Sequence, residues 1–258
     1  KGGAWDTLSA GFPSGTIRDL VRYNSKVYAI FADAIYGYDF SNRSWMQYAS
    51  IPSAMTSVAF NDSVILGTNS YSLWRSTDKG NTWSSPQKGL TNFVGYIYES
   101  GEHLFFLEQW RGFYLSSDDG RNWQQQNNGL TPSSSYYDLE TIGDTLFLSS
   151  GGGGIFRSFD MGLSWTSVGF QGYNLGDLAC NGKDLVAING GGGIYLSTNL
   201  GLSWADLTPR INPSLLTQFH LTNALFIGDT ILTGYRALQG TGILKSTDLG
   251  ENWKKIQF

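Results

Sequence analysis

Eleven residues at positions 73–83, Leu-Trp-Arg-Ser-Thr-Asp-Lys-Gly-Asn-Thr-Trp, recur along this chain at nearly constant spacing. Copies stand at 113–123 (FYLSSDDGRNW), 155–165 (IFRSFDMGLSW), 194–204 (IYLSTNLGLSW) and 243–253 (ILKSTDLGENW), and two worn copies end at Trp45 and Trp5. A segment written this often constrains architecture before chemistry, because an active site needs its residues once. The motif tryptophans (Trp5, Trp45, Trp83, Trp123, Trp165, Trp204 and Trp253) lie 40, 38, 40, 42, 39 and 49 residues apart. That period fits either helical solenoids or four-stranded propeller blades.

The residues between the motifs decide which. Each unit carries two runs of β-branched and aromatic residues split by a turn pair: Asn24-Ser25, Asn61-Asp62, Ser100-Gly101, Gly143-Asp144, Asn181-Gly182 and Gly228-Asp229. Such pairs between apolar runs signal hairpins, and helical periodicity is absent. In one unit, strands are expected at 136–141, 145–150, 155–159 and 165–168, with turns at 143–144, 151–154 and 160–164 and a link at 169–176. Four antiparallel strands repeated at this period predict an all-β fold, a β-propeller, in which radial repetition protects the sheet edges. The chain, 1–258, reads as a single propeller domain. Six complete units fall near 15–48, 54–86, 92–126, 136–168, 174–207 and 217–258, after a partial one near 1–10. Because residues 1–5 align with 79–83, the chain is expected to begin at an outer strand. That gives six blades with an extra N-terminal outer strand, or part of a seven-bladed parent.

The motif has its own physical logic. It sets Ser, Asp, Gly and Trp in a fixed frame: Ser76, Asp78, Gly80 and Trp83, then Ser116, Asp118, Gly120 and Trp123. The frame returns as Ser158, Asp160, Gly162 and Trp165, and as Ser246, Asp248, Gly250 and Trp253. In the remaining copy, Ser197, Asn199, Gly201 and Trp204, an Asn stands for the Asp; at the Trp45 copy, Phe40 replaces the Asp and Asn42 the Gly. The Asp is expected to accept backbone N–H bonds within its own turn, and the Gly to supply a positive φ. The Trp is expected to plug the blade, burying roughly 150–250 Å².

This Ser-x-Asp-x-Gly-x-x-Trp pattern resembles the Asp-box, or BNR repeat, of sialidases, sortilin-like receptors, photosystem assembly factors and xyloglucanase-type hydrolases. With the Gly-Leu-Thr after Trp83 and Trp123 and the glycine run before Ile155 and Phe156, the repeat resembles secreted Asp-box propellers of Bacteroidota-type bacteria. The resemblance covers essentially the whole chain. It implies a propeller whose motif turns are structural and lie on the face opposite any active site. The family is chemically diverse, so the resemblance implies fold more strongly than function.

Composition narrows the function classes. A formal net charge of −4 with 15% charged residues gives no electrostatic case for a nucleic acid partner. No apolar run approaches the roughly 18 residues of a membrane-spanning helix, so no membrane insertion is expected. Cys180 is the sole cysteine, which excludes an intrachain disulfide or a cysteine-based zinc site. His103 and His220 stand alone, without metal-ligand spacing. The run Asp118-Asp119-Gly120 lacks the alternating oxygen ligands of a calcium loop. The glycine runs precede strands, whereas phosphate cradles open helices. No metal and no cofactor are expected.

Candidate binding residues lie where the repeats stop resembling one another, at the turns between second and third strands and at the links. They are Asp33, Tyr71, Glu108, Trp110, Arg111, Arg210, Tyr235 and Arg236, with Phe12, Phe93, Tyr136 and Tyr173 in the links. Aromatic platforms beside polar anchors suit a glycan or protein partner. No catalytic residues are assigned. The sialidase resemblance implies an Arg-Ile-Pro signature before the first Asp-box, whereas the nearest string here is Arg210-Ile211-Asn212-Pro213, late in the chain. A xyloglucanase-type hydrolase needs two carboxylates facing across a cleft. The expectation is therefore a non-catalytic binding or scaffold propeller, extracellular or at the cell surface, with any signal segment outside this chain. The alternatives are a glycoside hydrolase and an assembly factor of a larger complex.

Overall fold

Each apolar run between turn pairs becomes a strand, and strands pair with their sequence neighbours into six antiparallel sheets. The computed structural model describes residues 8–69, 71–85, 89–90, 95–101, 103–132, 135–211, 219–238 and 240–256. Two compact units emerge: Lys1–Glu108 with Phe113–Gln125, and Gln109–Gly112 with Gln126–Phe258. The partial N-terminal copy at 1–7 lies outside the described residues.

Three sheets belong to the first unit. Blade 1 joins Asp19–Tyr23, Lys26–Ile30, Ala34–Asp39 and Ser44–Ser50. Blade 2 joins Ser57–Phe60, Ile65–Thr68 and Leu73–Ser76, and its outer strand is reduced to a bridge between Arg75 and Ser84. Blade 3 joins Gly95–Ser100, His103–Glu108, Gly112–Ser116 and Gln124–Gln125.

The other three form the second unit. Blade 4 joins Ser135–Ile142, Thr145–Gly151, Gly154–Ser158 and Thr166–Ser167. Blade 5 joins Leu175–Cys180, Leu185–Asn189, Ile194–Ser197 and Ala205–Asp206. Blade 6 joins His220–Ile227, Thr230–Ala237, Gly240–Ser246 and Lys254–Lys255. The single helical element among the described residues is a 3-10 turn, Thr208–Arg210. The chain is thus all-β with six blades, as the repeat predicts.

Second strands are covered on both faces, which is why they read as unbroken apolar runs rather than alternating ones. Leu104, Phe105, Phe106 and Leu107 are all fully buried in blade 3, as are Leu185, Val186 and Ala187 in blade 5.

The motif turns take the expected form with one addition. Asp78 Oδ1 accepts the Thr82 N–H at 2.8 Å and the Ser76 hydroxyl at 2.8 Å, while Ser76 Oγ accepts the Gly80 N–H at 2.8 Å. Asn199 does the same work in its copy, accepting the Ser203 N–H at 3.0 Å. Besides the glycine, the residue before it is left-handed in every intact copy: Lys79, Asp119, Met161, Leu200 and Leu249 have φ of 54–59°. The Trp45 copy is repaired by a shifted acid. Asp39, one position before Phe40, accepts the N–H groups of Ser41 at 2.8 Å and Asn42 at 3.3 Å.

The tryptophans do more than plug. Trp83, Trp165 and Trp204 donate their indole N–H groups to Ser50, Gln126 and Val168 at 2.9, 3.1 and 3.1 Å, each acceptor lying ahead of the tryptophan's own blade. Each such bond ties a blade to the chain that precedes it.

Candidate functional site

In each antiparallel blade, the turns between first and second strands and the motif turns share one end. The second-to-third-strand turn stands at the other. That second end carries most of the predicted residues. Tyr71 is 83% exposed, in a turn that Asn69 holds by accepting the Tyr71 and Ser72 N–H groups at 2.8 and 2.9 Å. Trp110 is 56% exposed with Arg111 beside it, and the Arg111 carbonyl accepts the Asn127 amide at 2.5 Å. Asp33 and Arg236 are exposed, whereas Tyr235 is half-buried with Lys255 Nζ 5.7 Å from its ring centre.

Two predicted residues sit elsewhere. Glu108 is fully buried at the end of its strand. Arg210 leaves the turn set and pairs at 2.7 Å with Glu251 in the motif turn of blade 6. Of the link aromatics, Tyr136 is buried with its hydroxyl on the Thr131 carbonyl at 2.7 Å; Phe93 lies outside the described residues.

Sequence reasoning missed a second repeated device on the first strands. Asp19 accepts the Val58 N–H of the next blade at 3.2 Å. Asp138 accepts that of Leu178 at 2.8 Å, and Asp177 that of Ala224 at 2.7 Å. Ser57 fills the same role toward Ile97 at 3.1 Å. Aligning the first strands would have found it, since an Asp or Ser precedes an apolar residue at the same place each time. Burial pushes Asp177 up to about 6, against the Ala224 bond that lowers it. Glu140 nearby is pushed up to about 7, mainly by burial, and accepts the Cys180 thiol at 3.2 Å. Burial, then the Glu140 charge, pushes that thiol up to about 11, which disfavours the thiolate.

The first unit also holds an open polar cavity of about 400 Å³ at the ends of its first-strand hairpins, lined by Arg22, Tyr23, Asn24, Asp62 and Glu99. The Tyr23 hydroxyl donates to Asp62 at 2.5 Å. Burial and then the Asp62 charge raise Glu99. The cavity lies at the motif-turn end, away from the predicted residues.

In the second unit, the link at 169–174 runs between two glycine turns and is bonded to both. The Gly172 N–H donates to the Gly152 carbonyl at 2.8 Å, and the Gly152 N–H to that of Tyr173 at 3.0 Å. The Gly190 N–H donates to the Asn174 carbonyl at 2.7 Å. Phe170 takes φ of 63°, a left-handed value that is rare for a bulky residue. Its ring packs on Tyr195 at 4.7 Å, Trp204 at 5.3 Å and Tyr173 at 5.9 Å between centroids. The strain of roughly 1–2 kcal/mol is offset by these aromatic contacts, and the result is a fixed Tyr173, 51% exposed.

No family model and no curated protein matches this sequence. Solved structures do. A glycoside hydrolase family 74 xyloglucanase from Xanthomonas campestris superposes with a TM-score of 0.74 at 13% identity, over 98% of this chain and 47% of that one. The extracellular domain described as a hybrid two-component system of B. thetaiotaomicron has a TM-score of 0.66 at 16% identity, over 88% of this chain and 32% of that one. YCF48, solved bound to a D1 peptide, has a TM-score of 0.64 at 16% identity, over 89% of this chain and 78% of that one. The chain therefore spans about half the length of the xyloglucanase. These neighbours include a hydrolase and a peptide-bound protein; at such identities they establish the β-propeller fold alone.

Proposed function

We propose that this chain is a non-catalytic, Asp-box-type binding propeller that presents the blade ends opposite its motif turns to a glycan or protein partner outside the cell. The observation that carries this reading is the exposure of three aromatic rings, Tyr71, Trp110 and Tyr173, each on a turn or link whose backbone is tied down. A ring held in water by a fixed backbone loses little entropy when a partner covers it. Of the two acidic candidates, Glu108 is fully buried and only Asp33 is exposed, which supports binding over a hydrolysis that needs two facing carboxylates. The extracellular placement draws support from the extracellular-domain neighbour.

The test combines a broad glycan array, capture of protein partners and a panel of fluorogenic glycosides. Binding that falls on Trp110→Ala, with no turnover, is the expected result. Turnover abolished by Glu108→Gln or by Asp33→Asn would replace this reading with a glycoside hydrolase.

A further inference from the structure

Blade 4 and blade 5 frame a surface bordered by two glycine-rich turns, at 151–154 and 190–193. The bulge in the first strand of blade 4 is its starting point. Tyr136 pairs with Ser150 and Asp138 with Ser149, so Tyr137 is the extra residue, turned out of the ladder. Bulges re-aim side chains in this way. The Tyr137 hydroxyl reaches the edge of Gly151, where a Cβ would stand 2.9 Å from it and 3.0 Å from Asn174 Oδ1. The Asn174 amide nitrogen in turn lies 3.5 Å from the corresponding point at Gly190. Beside them, Asn189 Nδ2 donates to the Tyr195 hydroxyl at 3.2 Å, and the Tyr173 ring stands out from the same link.

Three features of this surface point to one kind of ligand. Glycine supplies the floor: Gly152 has open space where a side chain would be, so a flat molecule can lie directly on the backbone. Asn174 offers a side-chain donor and acceptor and Tyr137 a hydroxyl, and neither side chain makes a hydrogen bond to the described residues. None of the side chains named in the group is an acid or a base of the Asp, Glu, Lys or Arg type, and the charge acting on Tyr195 is that of Asp206. An exposed aromatic face beside uncharged hydrogen-bonding groups matches a sugar ring, with its apolar C–H face and its rim of hydroxyls. An ionic ligand would find no counter-charge here.

We propose that Tyr173, Asn174 and Tyr137, beside the exposed glycines Gly152 and Gly190, form a subsite for a neutral pyranose of an oligosaccharide. This rests on the binding reading given above and narrows the partner to a neutral glycan. The rigid Phe170 turn holds the platform in place, so the site is preorganised and binding requires no rearrangement of the link.

Affinity electrophoresis through gels containing soluble neutral polysaccharides (hydroxyethyl cellulose, xyloglucan, galactomannan) tests it directly. The full chain is compared with Tyr173→Ala, Asn174→Ala, Gly152→Asn and Trp110→Ala. Gly152→Asn covers the floor with a residue that tolerates positive φ, and a circular dichroism melt of each variant verifies folding. Retardation of the wild type, weakened about tenfold by Tyr173→Ala and by Gly152→Asn, supports the subsite. Retardation that survives both and disappears only with Trp110→Ala overturns the subsite while leaving the binding reading intact. Absence of retardation by every neutral polysaccharide also overturns it; the binding reading then stands or falls on whether a protein partner is captured.

Discussion

Gly129 lies against the backbone carbonyl of Trp165 so closely that a Cβ added there would overlap the oxygen. The Trp165 N–H, in turn, donates to the Asn128 carbonyl at 2.8 Å. Gly89 meets Trp123 and Gly11 meets Trp45 in the same way, so in these three links the glycine is the seat for the next blade's tryptophan. Gly129 also has φ of 88°. Gly129→Ala therefore combines backbone strain with a clash against an immovable carbonyl, and is expected to cost about 3 kcal/mol or more. Urea unfolding measures it; a loss below about 1 kcal/mol would show that the seat yields.

Trp123 is 4% exposed and packs with Phe106, Leu66 and Leu90 in the core of the first unit. Trp123→Ala should cost roughly 3–5 kcal/mol. In the second unit, Trp165→Phe keeps most of the ring but removes the indole N–H that reaches Gln126. It leaves that carbonyl to water and should cost about 1 kcal/mol. Equal losses for the two substitutions would contradict the separation of plug and tie.

The first-strand clasp at Asp177 gives a pH dependence of definite sign. Its carboxyl is raised in the fold from the ordinary 3.8 to about 6, so the folded state prefers the protonated form. Stability from this group is present below about pH 4 and is lost as pH rises to about 6. Asp177→Asn keeps an oxygen for the Ala224 N–H and removes the charge. The variant is expected to be more stable than the wild type at pH 7–8 by about 1–3 kcal/mol, with the difference vanishing below pH 4. Melts from pH 3 to 8 decide it, and a difference independent of pH would refute the clasp's buried charge.

The motif turns titrate in the opposite sense. Asp248 is held down to about 2 by the Asn252 amide and backbone, and Asp78 likewise by Thr82. A depressed carboxyl contributes stability above its ordinary value of 3.8 that is lost as pH falls toward 2. Replacing both with Asn should flatten the acid limb of the stability curve between pH 4 and 2. An unchanged acid limb would place acid sensitivity elsewhere.

How much of this was legible in the residues differs by element. The blades were readable because the motif fixes the frame, and because Asn181-Gly182 and its equivalents punctuate the strands. The repaired turn at Asp39 was not, since the acid had moved one position and motif alignment points at Phe40. Tyr137 escaped because a bulge, which has no signature in an apolar run, turned it outward while Tyr136 went in. The place of Gly152 beside Asn174 was not legible either, since a glycine offers no side chain for a sequence reading to single out. Arg210 was misplaced because link residues have no period, and only the fold reveals its partner Glu251.

The central claim is that partners meet the blade ends opposite the motif turns. The motif-turn end offers a rival surface, where Phe159, Leu163 and Leu202 are all exposed. The decisive measurement is glycan-array and partner-capture binding by two multiple variants, Tyr71→Ala with Trp110→Ala and Tyr173→Ala, against Phe159→Ser with Leu163→Ser and Leu202→Ser. The account predicts that the first set abolishes binding and the second leaves it unchanged. Binding lost with the second set and retained by the first would contradict it.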